Sequence, residues 1–267
     1  MELTVMTLNL RYNEPKDGDN AWPFRISKAA ELIRAWNPVV VGTQEGQRSM
    51  LLELEAELGG SYGWLGEGRR GGGESEHTAI FYRKDAVEVV ASGQFWLSEA
   101  PEEPGSISWD SRWPRICTWA HYRCKGSGGS GKEFVLYNTH LDHKGQLARE
   151  NGAALIMKRL HSHKEASSLP FILTGDMNAK PGNAAIRRFR GLEPSSGETA
   201  GLFDCSLLLP QPVGCTFHGF KGGSEGEPID YIFVAGEAKV KEAHVDRRMI
   251  GGSYPTDHYP VIATIEL

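Results

Sequence analysis

The apolar residues of this 267-residue chain arrive in short runs, and run after run stops on a carboxylate, a carboxamide or an imidazole. Phe171-Ile172-Leu173-Thr174 passes through Gly175 into Asp176-Met177-Asn178, and Pro181 then turns the chain. Glu2–Leu8 hands over to Asn9, and Val39–Thr43 to Gln44 and Glu45. Val135-Leu136-Tyr137 leads to Asn138, His140 and Asp142. Asp230 sits inside the run Ile229–Phe233, and Asp257-His258 stand just before Val261–Leu267. Runs this short, bounded by Gly, Pro, Asn and Asp, predict buried β-strands. Any one junction also reads as a plain strand-to-turn transition, because those four residues are ordinary turn formers. Taken together, the junctions are explained most economically by strand ends that converge on one rim, where sheets of α/β proteins hold their ligands.

Helical spacing appears between the strands. Ile26, Ala29, Ala30 and Ile33 recur on one face until Asn37-Pro38 stops the pattern. Met50, Leu51, Leu54 and Leu58 form a second face, closed by Gly59-Gly60. A third helix is predicted over 146–163 and a short one over 183–189. The glycine-rich stretch 66–76 predicts a mobile loop, and 126–131 a flexible hairpin loop. The stretch 100–115, with prolines and two tryptophans, predicts a long irregular excursion of the kind that usually carries function. With no linker and no repeat of solenoid length, the expectation is one domain over 1–267, with packed sheets and outer helices.

Composition removes several function classes. No apolar run is long enough to span a membrane, and the chain enters a strand at once without a basic, then apolar, leader. The expected location is therefore cytoplasmic. Cys117, Cys124, Cys205 and Cys215 lack zinc-site spacing. Cys117 is expected as a core thiol, and nothing supports a Cys205–Cys215 disulfide. A net charge of −5 argues against a broad basic surface for nucleic acid.

The residue types at the strand ends indicate chemistry. Carboxylates and carboxamides with two histidines and no cysteine make an oxygen-rich set, suited to Mg²⁺ or Mn²⁺ rather than zinc. Mg²⁺ is commonly held by one or two carboxylates plus substrate phosphate, which leaves other acids and histidines for proton transfer. That is the equipment of metal-assisted phosphoester hydrolysis.

The motifs Thr7-Leu8-Asn9, Gln44-Glu45, Asn138-Thr139-His140-Leu141-Asp142, Gly175-Asp176-Met177-Asn178, Ile229-Asp230-Tyr231-Ile232 and Thr256-Asp257-His258 together resemble the endonuclease/exonuclease/phosphatase superfamily. They occur in the family's order across nearly the whole chain. The resemblance implies a four-layer α/β/β/α sandwich of two mixed sheets with outer helices, and a Mg²⁺-dependent (or Mn²⁺-dependent) phosphoric ester hydrolase. Family members include apurinic endonucleases, deadenylases, inositol polyphosphate phosphatases and sphingomyelinases. By position, the resemblance implies Glu45 as chief metal ligand with Asn9 and Asp257. It implies His258 acting on the scissile phosphate, oriented by Asp230, Asp176 positioning or deprotonating water, and Asn178 on the phosphoryl oxygens. His140 marks the histidine-bearing branch. Asn138 is placed beside the site as a buttress with substrate contact, and Asp142 as support for His140 or its loop. Whether Asp176 or His258 is the base stays open at this level.

Substrate is less legible. Ser108–Arg115 combines arginines, suited to phosphate, with tryptophans that stack on a base or sugar, so Trp109, Arg112 and above all Arg115 are candidate substrate contacts. Arg69 and Arg70 are candidates to close over substrate, although an exposed charge pair is more often simply solvated. The acidic balance favours a small phosphoester, a nucleotide or single-stranded nucleic acid over duplex DNA; no protein partner is implied. The alternative is a catalytically silent binding or signalling protein on the same scaffold. The presence of Glu45, Asp176, Asn178, Asp230 and His258 together opposes it.

Overall fold

The computed structural model describes residues 1–126, 131–166, 168–193 and 201–267. The loop expected over 126–131 lies largely outside them. Fourteen strands occur among these residues: β1 (Glu2–Asn9), β2 (Val40–Gln44), β3 (Gly46–Gln47), β4 (Tyr62–Leu65), β5 (Glu76–His77), β6 (Ile80–Arg83), β7 (Val87–Trp96), β8 (Ile116–Cys124), β9 (Glu133–His140), β10 (Phe171–Asp176), β11 (Phe203–Asp204), β12 (Asp230–Ala235), β13 (Lys239–Val245) and β14 (Val261–Glu266). The helices are α1 (Ile26–Trp36), α2 (Arg48–Glu57), α3 (Gln146–Ala166) and α4 (Ala184–Phe189).

Two six-stranded sheets result, ordered β13-β14-β1-β2-β6-β4 and β11-β12-β10-β9-β8-β7. Each has one parallel pair, β1/β2 and β9/β10, among antiparallel neighbours. Parallel pairing requires a crossover, supplied by α1 in one sheet and α3 in the other. Alternation along the strands distributes three cores. Leu3, Val5, Val40, Leu136, Ile172 and Ile232 pack between the sheets. Met6, Leu8 and Val41 face the other way, onto Ala30, Ile33, Leu51 and Leu54 of α1 and α2. Tyr137, Leu173 and Phe233 face Ile156, Met157, Ile186 and Phe189 of α3 and α4. The layers are thus α/β/β/α, as expected.

Some local expectations change. The sequence places the start of the first helix at Pro23, but Pro23 lies in a 3-10 turn and α1 begins only at Ile26. The 66–76 stretch is a narrow hairpin rather than a loose loop: Gly68 N–H donates to Gly72 O at 2.7 Å and Arg69 N–H to Glu76 O at 2.8 Å. The Trp96 indole also donates to Arg69 O at 2.7 Å. The 100–115 excursion contains no helix or strand. All four cysteines are free thiols, and Cys117 is buried.

Two contacts fix the rim on which the polar residues lie. At Gly42 the sheets come close: a Cβ there would stand 2.2 Å from Thr174 Oγ1 and 2.5 Å from Asn138 Oδ1. Arg25, 1% exposed, donates to the carbonyls of Leu10, Arg11, Asn20 and Pro255. It ties the segment after β1 to the segment before β14, and burial pulls its guanidinium down to about 10.

Candidate active site

Strand register brings the strand ends together. Asp176 ends β10 opposite His140 at the end of parallel β9 and opposite Asp230 at the start of antiparallel β12. Asn9 ends β1 opposite Gln44 of β2, with Glu45 next. Asp257 and His258 precede β14, which runs antiparallel to β1. Glu45 and Asn178 take left-handed backbone conformations, with φ of 63° and 46°. These are uncommon for non-glycine residues and recur at functional positions. A cleft of about 750 Å³ opens above them. Glu45, His140, Asp176, Asn178, Asp257 and His258 line it, joined by Arg11, Arg69, Glu76, Trp113, Arg115, His143 and Phe217.

Asp230, His258 and Asp176 form a buried chain of ionisable groups. Asp230 Oδ2 is 2.9 Å from His258 Nδ1, and His258 Nε2 faces Asp176 Oδ2 at 3.8 Å. Burial alone lowers the His258 imidazole. The charge and hydrogen bond of Asp230, reinforced by Asp176 and Asp257, outweigh burial and raise it to about 10. Asp176 is pushed up to about 7, first by burial and then by the neighbouring Asp230 charge. It accepts from Asn9 Nδ2 at 3.0 Å and from the Asn178 N–H at 2.9 Å. His140 behaves oppositely: burial, with Arg115 and Arg69 adding to it, holds its ring well below the usual histidine range. A neutral His140 matches its geometry, since its Nε2 accepts from Asn178 Nδ2 at 2.9 Å.

Two carboxylate groups are available to a cation. Asp176, Asp230 and His258 offer ligand atoms within 4.8 Å of one another. An imidazolium has no lone pair to give, however, so this trio suits proton transfer better than ligation. Glu45 and Asp257 line the same cleft, and Asn9 Nδ2 reaches both Glu45 and Asp176. Glu45 accepts only from Asn9 Nδ2 at 3.1 Å and from the Tyr12 N–H at 3.2 Å among the described residues. Asp257 stands 3.9 Å from Arg11 Nε, and burial raises its carboxyl. These oxygens fit a hard divalent ion. Asn9 turns its amide nitrogen to Glu45 and Asp176 while its oxygen accepts from the Arg11 N–H at 2.9 Å, so it braces Glu45.

The expected substrate contacts divide. Arg115 lines the cleft, 6% exposed, between Asp142 and His143. Asn138 is corrected. Its carboxamide is fully buried, donates to Thr43 O and Ala79 O, and accepts from Gln44 Nε2 and Thr174 Oγ1. It joins the two sheets and has no atom for a substrate. Trp109 and Arg112 lie beside the cleft rather than in it: they face a neighbouring hollow with Lys144, which shares Trp113 and His143 with the cleft. The reason lies in two anchored acids. Asp110 accepts from the N–H groups of Leu147 and Ala148 at the start of α3. Asp142 accepts from Ser111 Oγ and from the N–H groups of Arg112, Lys144 and Gly145. Burial raises Asp142, but those donors and Arg115 hold it at about 2. The anchored loop turns Trp113, not Trp109, into the cleft.

Arg11 and Glu76 were not expected here, and Arg69 was expected only as the less favoured of two readings. Arg11 follows Asn9 by two positions, which was a usable signal. For Arg69 no signal decided between the two readings, because a glycine-rich hairpin hides which of its charges are buried.

A profile of the Endonuclease/Exonuclease/phosphatase family matches residues 6–258. Among solved structures, an endonuclease/exonuclease/phosphatase family protein from Bacteroides thetaiotaomicron is 32% identical with a TM-score of 0.90, covering 99% of this chain and 95% of that one. A mannosyl-6-phosphatase from the same organism is 32% identical with a TM-score of 0.89, covering 99% of this chain and 100% of that one. The human Nocturnin catalytic domain with bound sulfate shares the fold at 19% identity and a TM-score of 0.74, covering 99% and 93%. The search of curated proteins returns no match. The matched span begins within β1, three residues before Asn9, and closes on His258, so one continuous family pattern delivers both ends of the cleft: this chain belongs to the endonuclease/exonuclease/phosphatase family, whose members hydrolyse phosphoester bonds.

Proposed function

We propose that the chain is a divalent-metal-dependent hydrolase of a small phosphoester, with a sugar phosphate as first candidate. The observation that carries the reaction is the buried Asp176 beside the His258–Asp230 pair, in the cleft that Glu45 and Asp257 also line. A carboxyl near 7 is well matched to taking a proton from water at neutral pH. His258, held as imidazolium, is unsuited to that task and supplies positive charge to a phosphoryl oxygen. The 3.8 Å between them is too short for opposite apical positions of an in-line displacement, so both serve the attacking side. Water adds to phosphorus as Asp176 takes its proton, the ester P–O bond opposite breaks with its electron pair on the leaving oxygen, and that oxygen is protonated from solvent to leave as the alcohol.

Glu45 and Asp257 would hold Mg²⁺ or Mn²⁺, with Asn9 bracing Glu45. Once bound, the ion supplies Lewis-acid stabilisation of the phosphoryl oxygens. Asn178 and neutral His140 stand beside Asp176 and orient the phosphoryl group. The small-substrate reading draws on the 32%-identical mannosyl-6-phosphatase and on a cleft whose size suits a compact ligand. A nucleotide is the second reading, favoured by Trp113 and Phe217, 37% and 50% exposed on the cleft walls.

A panel of mannose 6-phosphate, other sugar phosphates, nucleotides, single-stranded RNA and duplex DNA, with Mg²⁺ and with EDTA, tests both readings. Metal-requiring turnover of sugar phosphates is expected. Turnover that survives EDTA removes the metal assignment, and better turnover of RNA or nucleotides promotes the second reading.

A further inference from the structure

We propose that Arg69 and Arg115 form a guanidinium clamp that makes this cleft select a terminal phosphomonoester over an internal phosphodiester. The inference rests on the hydrolase reading above and adds the form of ester and the residues that choose it.

Arg69 enters the cleft from the 66–76 hairpin and Arg115 from the residue before β8, on the wall that also carries His140. Neither side chain is a solvated surface charge: Arg69 is 12% exposed and Arg115 6%. Both are held in place. Arg69 pairs with both oxygens of Glu76, at 2.8 and 3.0 Å, donates from Nε to Ser75 Oγ at 3.2 Å, and lies against Trp113 at 5.5 Å. The hairpin beneath it is fixed by its own backbone pairs and the Trp96 indole. Arg115 donates from Nε to Asp142 and reaches His143 Nδ1 at 2.9 Å. A guanidinium has five N–H donors in a planar fork. Those contacts leave donors of both side chains without a partner among the described residues, on a cleft wall.

The stereochemistry of phosphorus makes this wall selective. In a phosphomonoester three oxygens besides the leaving one are unesterified and carry close to two charges. In a diester one of the three continues into a second alcohol, and a single charge remains. Glu45 and Asp257 would hold a cation that stabilises one oxygen, and Asn178 and His258 would face another. Arg69, Arg115 and Trp113 line the same cleft and are left for the third. Two planar cations there suit a free anionic oxygen, and a diester's second alcohol would have to be seated against two guanidinium groups and an indole. Preorganised arginines are the usual means of fixing a phosphate with several acceptors.

The test uses the full chain with Mg²⁺ and compares p-nitrophenyl phosphate with bis(p-nitrophenyl) phosphate. R69A, and R69K as the variant that keeps charge but loses the fork, are measured alongside wild type, each with its melting temperature. The wild type should favour the monoester, and R69A should cut the monoester-to-diester ratio of kcat/KM by about 100-fold. Inorganic phosphate binding, read by calorimetry without turnover, should weaken about 10-fold in R69A, with partial recovery in R69K. A wild type that prefers the diester, rates that fall in parallel on both esters, or unchanged phosphate affinity each overturn the clamp. A wild type that binds phosphate through Arg69 yet hydrolyses neither ester would instead sink the hydrolase reading. If R69A fails to fold, R69K alone decides through the ratio and the phosphate affinity.

Discussion

Asp230 Oδ2 lies 2.9 Å from His258 Nδ1, and both side chains are almost wholly buried. Strand register enforces the pairing: Asp230 opens β12 directly opposite Asp176, so the imidazolium at His258 compensates two carboxylates that would otherwise repel at close range. D230N keeps the shape and removes the charge that holds His258 protonated. We expect kcat/KM to fall by about 100- to 1,000-fold. The alkaline limb of the pH–rate profile should move to lower pH, because His258 loses its proton earlier. A wild-type profile in D230N would sink the assignment.

The pH profile of the wild type follows from the same pair. Asp176 acts as a carboxylate, so activity should rise as pH passes about 7. His258 acts as imidazolium, so activity should fall as pH passes about 10. The product is a bell with its plateau between these values. Measuring kcat/KM from pH 5 to 11 checks it. Activity that peaks at pH 5 would show that Asp176 is not the base.

Glu45 should govern metal affinity. E45Q keeps the shape of the side chain and one of the two acceptors that Asn9 and Tyr12 use, and removes the charge facing the cleft. Mn²⁺ binding followed by calorimetry should weaken by at least about tenfold. Unchanged Mn²⁺ affinity would place the ion elsewhere, with the Asp176–Asp230–His258 trio the next place to look.

Asn138 should matter for stability and not for substrate. N138A removes one partner each from Gln44 Nε2, Thr174 Oγ1 and the carbonyls of Thr43 and Ala79, and leaves a void in the inter-sheet core. The cost is about 2–4 kcal/mol, a fall in Tm of about 4–10 °C. KM in the surviving folded enzyme should stay near wild type. A large rise in KM with unchanged Tm would restore Asn138 as a substrate contact.

The strand-end pattern indicated packed sheets with outer helices and the chemical character of the site, and the resemblance supplied the four-layer order. Short apolar runs bounded by turn residues favour sheets, and polar residues at their ends then share a rim. Asn9, Glu45, Asp176, Asp230 and His258 were legible as a set rather than one by one, and the resemblance gave each its role. Tertiary structure alone decided which neighbour each one meets. The same carboxamide chemistry gives Asn178 a place in the cleft and Asn138 a place between the sheets, because Asn138 lies over Gly42, where the sheets approach closely. The same indole chemistry puts Trp113 in the cleft and Trp109 outside it, because Asp110 and Asp142 anchor the loop from both sides. Arg69 was favoured as a solvated charge because its burial comes from a hairpin folded against Trp96 and Trp113, contacts that no local pattern encodes. The proton states follow the same rule: burial and the distance to the next charge set them, and both exist only in the folded chain.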